Sequence, residues 1–140
     1  MKKTTDELLK ALNNTMHIDT YLKENSESMI NADVSYYLNE KIKEKNITKS
    51  KVIKNSELNE IYGYQILSGK RKASRDKLMC ICIGAGFDLD ETNEILKIAL
   101  FSPLFPKLRR DSIIILGIQN QEPVWKINES LFDYKLETLS

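Results

Sequence analysis

Residues 48–77, TKSKVIKNSELNEIYGYQILSGKRKASRDK, decide how this chain folds. Thr48 offers a hydroxyl to an orphan backbone N–H at the start of a short helix carrying Val52 and Ile53. The turn Asn55-Ser56-Glu57 leads to a second short helix over about 59–67. Ser68-Gly69 ends it, because glycine suits the left-handed position just past a helix C-terminus. Ser74 can cap the helix that follows. The stretch therefore predicts two short helices joined by a tight turn, with a run of cations on either side.

Working outward, Val34, Tyr37, Leu38 and Ile42 fall at i, i+3, i+4 and i+8, the spacing of an amphipathic helix that ends near Asn46. On the other side, Leu78, Ile81, Cys82 and Ala85 form the buried stripe of a fourth helix. Asp88 and Glu91 make a capping box for a fifth, which bears Thr92, Ile95, Leu96 and Ala99. Pro103 and Pro106 precede a sixth helix over about 107–119, and Pro123 suits the first turn of a last one reaching about residue 134. Before the main domain, residues 6–13 set Leu8, Leu9 and Leu12 on one side. A second piece carries Ile18, Tyr21 and Leu22, and the polar run 23–28 links it onward. With 5 glycines and no Asn-Gly or Asp-Gly hairpin turn, the chain reads as all-α.

One segment is ambiguous by period alone: the β-branched run 112–118 suits a short strand as well as a helix. An internal repeat decides for the helix. Shifting the sequence by 35 residues places Arg75-Asp76 on Arg110-Asp111, Ile83 on Ile118, Asn93-Glu94 on Asn128-Glu129, Leu96 on Leu131 and Leu104 on Leu139. Both copies read Arg-Asp, apolar helix, loop, Asn-Glu-x-Leu helix, which predicts a stacked helical-hairpin unit. The expected organisation is an N-terminal helical segment at 1–28, a central domain at 34–104 and a C-terminal helical hairpin at 105–140.

The composition bounds the function. In 140 residues, 41% are hydrophobic and 29% charged, which is globular material for about one domain with additions. The apolar run from Ile113 to Ile118 is far shorter than the roughly 20 residues a membrane span needs, and no other run in the chain reaches that length. No secretory apolar region follows the N-terminal Lys2-Lys3, so a cytoplasmic location is expected. Cys80 and Cys82 lie two apart in an apolar segment, with only His17 to join them, and read as reduced core thiols.

Lys plus Arg total 21 against 20 acids, a net charge of +1 that argues against a protein coating a polyanion by bulk charge. Divided along the chain, the balance is uneven. Residues 1–40 hold four basic and seven acidic residues, net −3. Residues 41–77 hold eleven and four, net +7, and residues 78–140 hold six and nine, net −3. The cations Lys49, Lys51, Lys54, Lys70, Arg71, Lys72, Arg75 and Lys77 surround the two short helices, the electrostatic footprint of a phosphate-binding face.

On these residues the chain resembles a known family. Thr48-Lys-Ser-Lys-Val-Ile, the run Tyr64-Gln65-Ile66-Leu67-Ser68-Gly69-Lys70-Arg71-Lys72, Ser74 and the apolar pattern after it are similar to the five-helix, lambda-repressor-like helix-turn-helix domain of phage repressor and Cro-type (Xre-like) regulators. The longer run 62–77 with Arg109-Arg110-Asp111-Ser112-Ile113-Ile114 resembles a subgroup that carries a C-terminal helical extension. The resemblance implies a transcription regulator that binds double-stranded DNA as a homodimer. Asn59, Glu60, Tyr64 and Gln65 would face base edges, with Gln suited to adenine and Tyr to a thymine methyl or a phosphate. Lys49, Ser50, Lys70, Arg71 and Lys72 would hold phosphates. Two residues depart from the pattern: Gly63 stands where such domains bury an aliphatic side chain, and Glu60 would lie near phosphates unless it accepts from cytosine. Tyr62 reads as core, and Tyr64 as either core or reader.

The remaining residues have structural readings. His17 lacks a Ser, Cys or carboxylate partner and suits a surface or interface. Asp88, Asp90, Glu91 and Glu94 lack the Asp-x-Asp-x-Asp-Gly pattern of a cation loop, so capping explains them. Arg75-Asp76 and Arg110-Asp111 are expected to tie loops by ion pairs, and Trp125 to pack the final hairpin. No Gly-rich phosphate loop or nucleophile elbow is present, so neither an enzyme nor a bound cofactor or metal is expected. The rival reading is a helical adaptor that reuses the helix-turn-helix scaffold to bind a protein partner.

Overall fold

Side-chain caps open six of the nine helices among the residues that the computed structural model describes, 3–26 and 33–140. Thr4, Asp33, Thr48, Asn59, Ser74 and Asp88 each accept a hydrogen bond from a backbone N–H two or three residues ahead. Asp88 adds the reciprocal bond from Glu91 that completes a capping box, satisfying two orphan donors at once.

The chain divides into two compact units, Met1–Asn31 and Ala32–Ser140. The first holds α1 (Thr5–Asn13) and α2 (Ile18–Glu24). The polar link expected at 23–28 reaches residues 27 and 28, which lie outside the described ones. The second holds α3 (Val34–Glu44), α4 (Lys49–Ser56), α5 (Glu60–Ser68), α6 (Arg75–Gly84), α7 (Leu89–Ile98), α8 (Arg109–Gln119) and α9 (Val124–Asp133). The described residues contain no strand, and the segment 112–118 is helical, as the repeat indicates.

At the centre of the second unit lies α6. The sequence suggests one buried stripe on it, but Leu78, Met79, Cys80, Ile81 and Cys82 are all buried in succession. A helix that is apolar all round must be enclosed on every side, and α6 is packed by α4, α7 and α9. Burial pushes the Cys80 thiol up to about 12 and the Cys82 thiol higher still, so both stay protonated and unreactive. At Gly84 the backbones of α6 and α4 come close together. A Cβ there would stand 2.6 Å from both the Val52 carbonyl oxygen and the Ser56 nitrogen on α4. Backbone atoms cannot swing aside, so Gly84→Ala is expected to lower stability by about 2–3 kcal/mol. The check is a lower urea midpoint at an unchanged slope.

The sequence repeat is a structural repeat. Shifted by 35, α6–α7 falls on α8–α9, and the left-handed residues Gly86 and Leu100 fall on Gln121 and Lys135. Asn93 Oδ1 accepts from Leu104 N at 2.8 Å, and its counterpart Asn128 Oδ1 accepts from Leu139 N at 2.8 Å. Each pins a returning chain end beneath its hairpin.

The arginines show how the copies are related. Arg75 reaches across to Asp111 of the second hairpin, and Arg110 reaches back to Asp76 of the first. A hairpin stacked by translation would send Arg110 onward to a third copy. Mutual exchange is instead the signature of two-fold pairing, which corrects the simple stack suggested by the repeat alone. Consistently, α6 packs on α9 as α7 packs on α8. Each arginine also donates to two carbonyls of its own copy's tail. These are Ser102 and Pro103 for Arg75, and Glu137 and Thr138 for Arg110.

Candidate nucleic-acid interface

Helices α4 and α5 are joined by a turn in which Glu57 adopts a left-handed conformation, φ 61°. Asn59 then caps α5, its Oδ1 accepting from Tyr62 N at 3.1 Å. Below the turn, Val52, Ile53, Gly63, Ile66 and Leu67 are buried. Gly63 is not a missing aliphatic side chain. A Cβ there would meet Ile53 Cγ2 at 3.0 Å, so the glycine lets α5 lie close against α4, with Ile53 filling the space.

With that face buried, α5 turns Glu60, Ile61 and Tyr64 outward, with Gln65 half-buried and Ser68 exposed at its end. A hollow of about 450 Å³ is lined by Glu60, Ile61, Tyr64, Gln65, Ser68 and Lys70. A second, of about 290 Å³, brings Ser50 and Lys54 of α4 to Glu60 and Tyr64. Of the residues singled out in the sequence, Ser50, Glu60, Tyr64, Gln65 and Lys70 thus share one continuous surface. Tyr64 is 39% exposed and so is not a core residue, whereas Tyr62 packs partly against the core.

Two of the singled-out side chains are held by contacts of their own. The Asn59 carbonyl oxygen is occupied as a cap, so this side chain is held in place and not free to scan. Arg71 lies over the Tyr62 ring, 5.5 Å from its centroid, which fixes the guanidinium beside the end of α5. Its backbone N–H closes the helix end on the Gln65 carbonyl, with Gly69 at φ 83° between them, so residues 70–72 leave α5 in a defined direction. Lys49 and Ser50 are exposed in the first turn of α4, where free N–H groups favour an anion.

Ile61 was not singled out in the sequence. It is 70% exposed, and with Tyr64, Gln65 and Ser68 it falls at i, i+3, i+4 and i+7. That spacing, set opposite the buried Gly63, Ile66 and Leu67, was the available signal. Lys54 was noted only as part of the charge cluster, and its place in the second hollow joins it to the surface.

The ion pairs divide the basic segment into two groups. Lys41 pairs with Glu94, Lys45 with Glu91 and Arg75 with Asp111, all of which serve the fold. Among the described residues, Lys49, Lys51, Lys54, Lys70 and Lys72 have no ion pair. Cations without an ion pair are therefore concentrated beside α4 and α5, although Lys43 on α3 and Lys77 on α6 also lack one.

Trp125 departs from its expected role in packing the last hairpin, being 56% exposed. Its backbone N–H donates to Glu57 Oε2 at 2.9 Å, so the turn between α4 and α5 supplies a carboxylate to the start of α9. Pro123, the residue before α9, offers no side-chain cap of its own. His17 is exposed at the start of α2. Among the described residues, no group of three His, Cys, Asp or Glu side chains converges to hold a metal ion, and no helix is long and apolar enough to cross a membrane. No protein-family model, curated protein or solved structure matches the chain.

Proposed function

We propose that residues 34–104 form a helix-turn-helix DNA-binding domain of the phage repressor and Cro type, serving a transcription regulator that acts as a homodimer. In this reading α5 enters the major groove of double-stranded DNA, and α4 crosses the backbone above it. Lys49, Ser50, Lys70, Arg71 and Lys72 hold phosphates and set the register. Glu60, Tyr64 and Gln65 approach base edges, with Asn59 beside them at the helix start.

One observation carries the reading: six cations without an ion pair, Lys49, Lys51, Lys54, Lys70, Arg71 and Lys72, are concentrated on α4 and just past the end of α5. A cation without a carboxylate partner has no ion pair to break when it meets a phosphate. Four cationic side chains, Lys49, Lys70, Arg71 and Lys72, would neutralise about four phosphates per protomer, giving a log–log salt slope near −4. At about −0.9 per phosphate, a fourfold rise in salt should then weaken binding about 150-fold for each protomer engaged. Fluorescence anisotropy with random-sequence duplexes at two salt concentrations measures this. Affinity indifferent to salt would reject the proposal.

The adaptor reading has one observation in its favour, the exposed apolar pair Ile61 and Tyr64 on the same face. It predicts no retention of duplex at any salt concentration, together with recovery of one stoichiometric protein partner.

A further inference from the structure

The exposed face of α5 is poor in the side chains that usually identify guanine. The helix, EIYGYQILS, contains neither arginine nor lysine. Asn59 Oδ1 is committed to the cap, and Gln65 is half-buried. Besides the Glu60 carboxylate at its start, what the helix does present is apolar: Ile61 at 70% exposure, with Tyr64 one turn further on. Both line the same hollow, together with Lys70 at its end, and Tyr64 also borders the hollow that contains Lys54.

An apolar strip between unpaired cations is complementary to a particular surface. In B-DNA the C5-methyl of thymine is the one apolar group on the floor of the major groove, and the groove is walled by phosphates. An apolar protein partner would match the strip but leave Lys54 and Lys70 uncompensated. We propose that Ile61 and Tyr64 read thymine methyl groups, so that the preferred duplex carries thymine opposite the first two turns of α5. This rests on the DNA-binding reading and specifies its target as A·T steps recognised by contact with the methyl group.

Deoxyuridine differs from thymidine only by lacking that methyl and pairs identically, so replacing one by the other isolates the contact. A binding site is first selected from random duplexes with the full-length protein, and each thymine in it is then changed singly to deoxyuridine. At one or two positions the wild-type protein should lose about fourfold in affinity, the worth of one buried methyl. Ile61→Ala should bind the unmodified site more weakly by a similar factor and no longer distinguish thymine from uracil at its position. Tyr64→Ala should do the same at the neighbouring one. Because Ile61 is largely exposed, a thermal melt should show Ile61→Ala folded as the wild type.

Salt-dependent binding with wild-type indifference to every uracil overturns the methyl contact and leaves DNA binding standing. Uracil sensitivity that survives in both variants assigns the methyl to other residues and likewise overturns the proposal. Failure to enrich or retain any duplex overturns the DNA-binding reading, and this proposal with it.

Discussion

Asp111→Ala is expected to lower the stability of the protein by about 3 kcal/mol, more than the repeat-equivalent Asp76→Ala. The carboxylate is buried and fully used. One oxygen accepts from Arg75 Nη1 at 3.3 Å, and the other from Arg75 Nη2 at 3.1 Å and Phe105 N at 3.0 Å. Truncation leaves a half-buried guanidinium without its counter-charge and a backbone donor without an acceptor. Removing one partner of a buried pair costs far more than the pair contributes net, because the survivor remains desolvated. Asp76 is the weaker site. It is only partly buried and receives Arg110 alone, at 2.9 and 3.0 Å, with no backbone donor. Its loss should cost about 1 kcal/mol, nearer the range of an exposed pair. Urea denaturation of both variants, at a slope of about 1–3 kcal/mol per molar, should separate their midpoints by about 1 M. Equal midpoints would mean that the two pairs are equivalent in energy as well as in geometry. Asp111→Asn keeps the Phe105 contact and should recover part of the loss.

The parts of this fold that were readable from sequence are those governed by neighbours in the chain. A cap is a local contract between one hydroxyl or carboxylate and an N–H a few residues on. Thr48, Ser74 and the Asp88–Glu91 box therefore mark their helices where the structure has them. The repeat was also readable, since Arg-Asp and Asn-Glu-x-Leu recur at a fixed shift. Its symmetry was not. A shift of 35 states which residues correspond, but translation and two-fold rotation give the same correspondence. Only the exchange of Arg75 to Asp111 and Arg110 to Asp76 distinguishes them. The full enclosure of α6 depends on which other helices surround it, a long-range property that no 3.6-residue period contains. Trp125 misled because aromatic residues near Val and Ile usually pack inward. Here the backbone of Trp125, held by Glu57, does the structural work, and the ring stays at the surface. At the candidate site, charge indicated the surface; the cap at Asn59 is local but was overlooked in favour of a base contact, and the exposure of Ile61 became visible only once α5 was seated on α4.

Replacing Lys70, Arg71 and Lys72 together by glutamate should weaken duplex binding by about a thousandfold at low salt and flatten the salt slope by about three. Each position exchanges an attraction to phosphate for a repulsion, and all three follow directly from the end of α5, so they move with the helix that carries the readers. The change should leave folding nearly intact. All three side chains are exposed, and the one contact at stake is the Arg71 stack on Tyr62, worth about 0.5–1 kcal/mol at a surface site. An altered melting temperature of more than a few degrees would therefore point to damage beyond the face itself. Global charge must also be excluded, because three reversals take the whole chain from +1 to −5. Reversing Lys107, Arg109 and Lys135, exposed cations of the C-terminal segment 105–140, changes the net charge equally. If that second variant binds nearly as the wild type does while the first is lost, the interaction is a located phosphate clamp. Equal losses in the two variants would show that only net charge matters, and with it the oriented docking of α5 would fall.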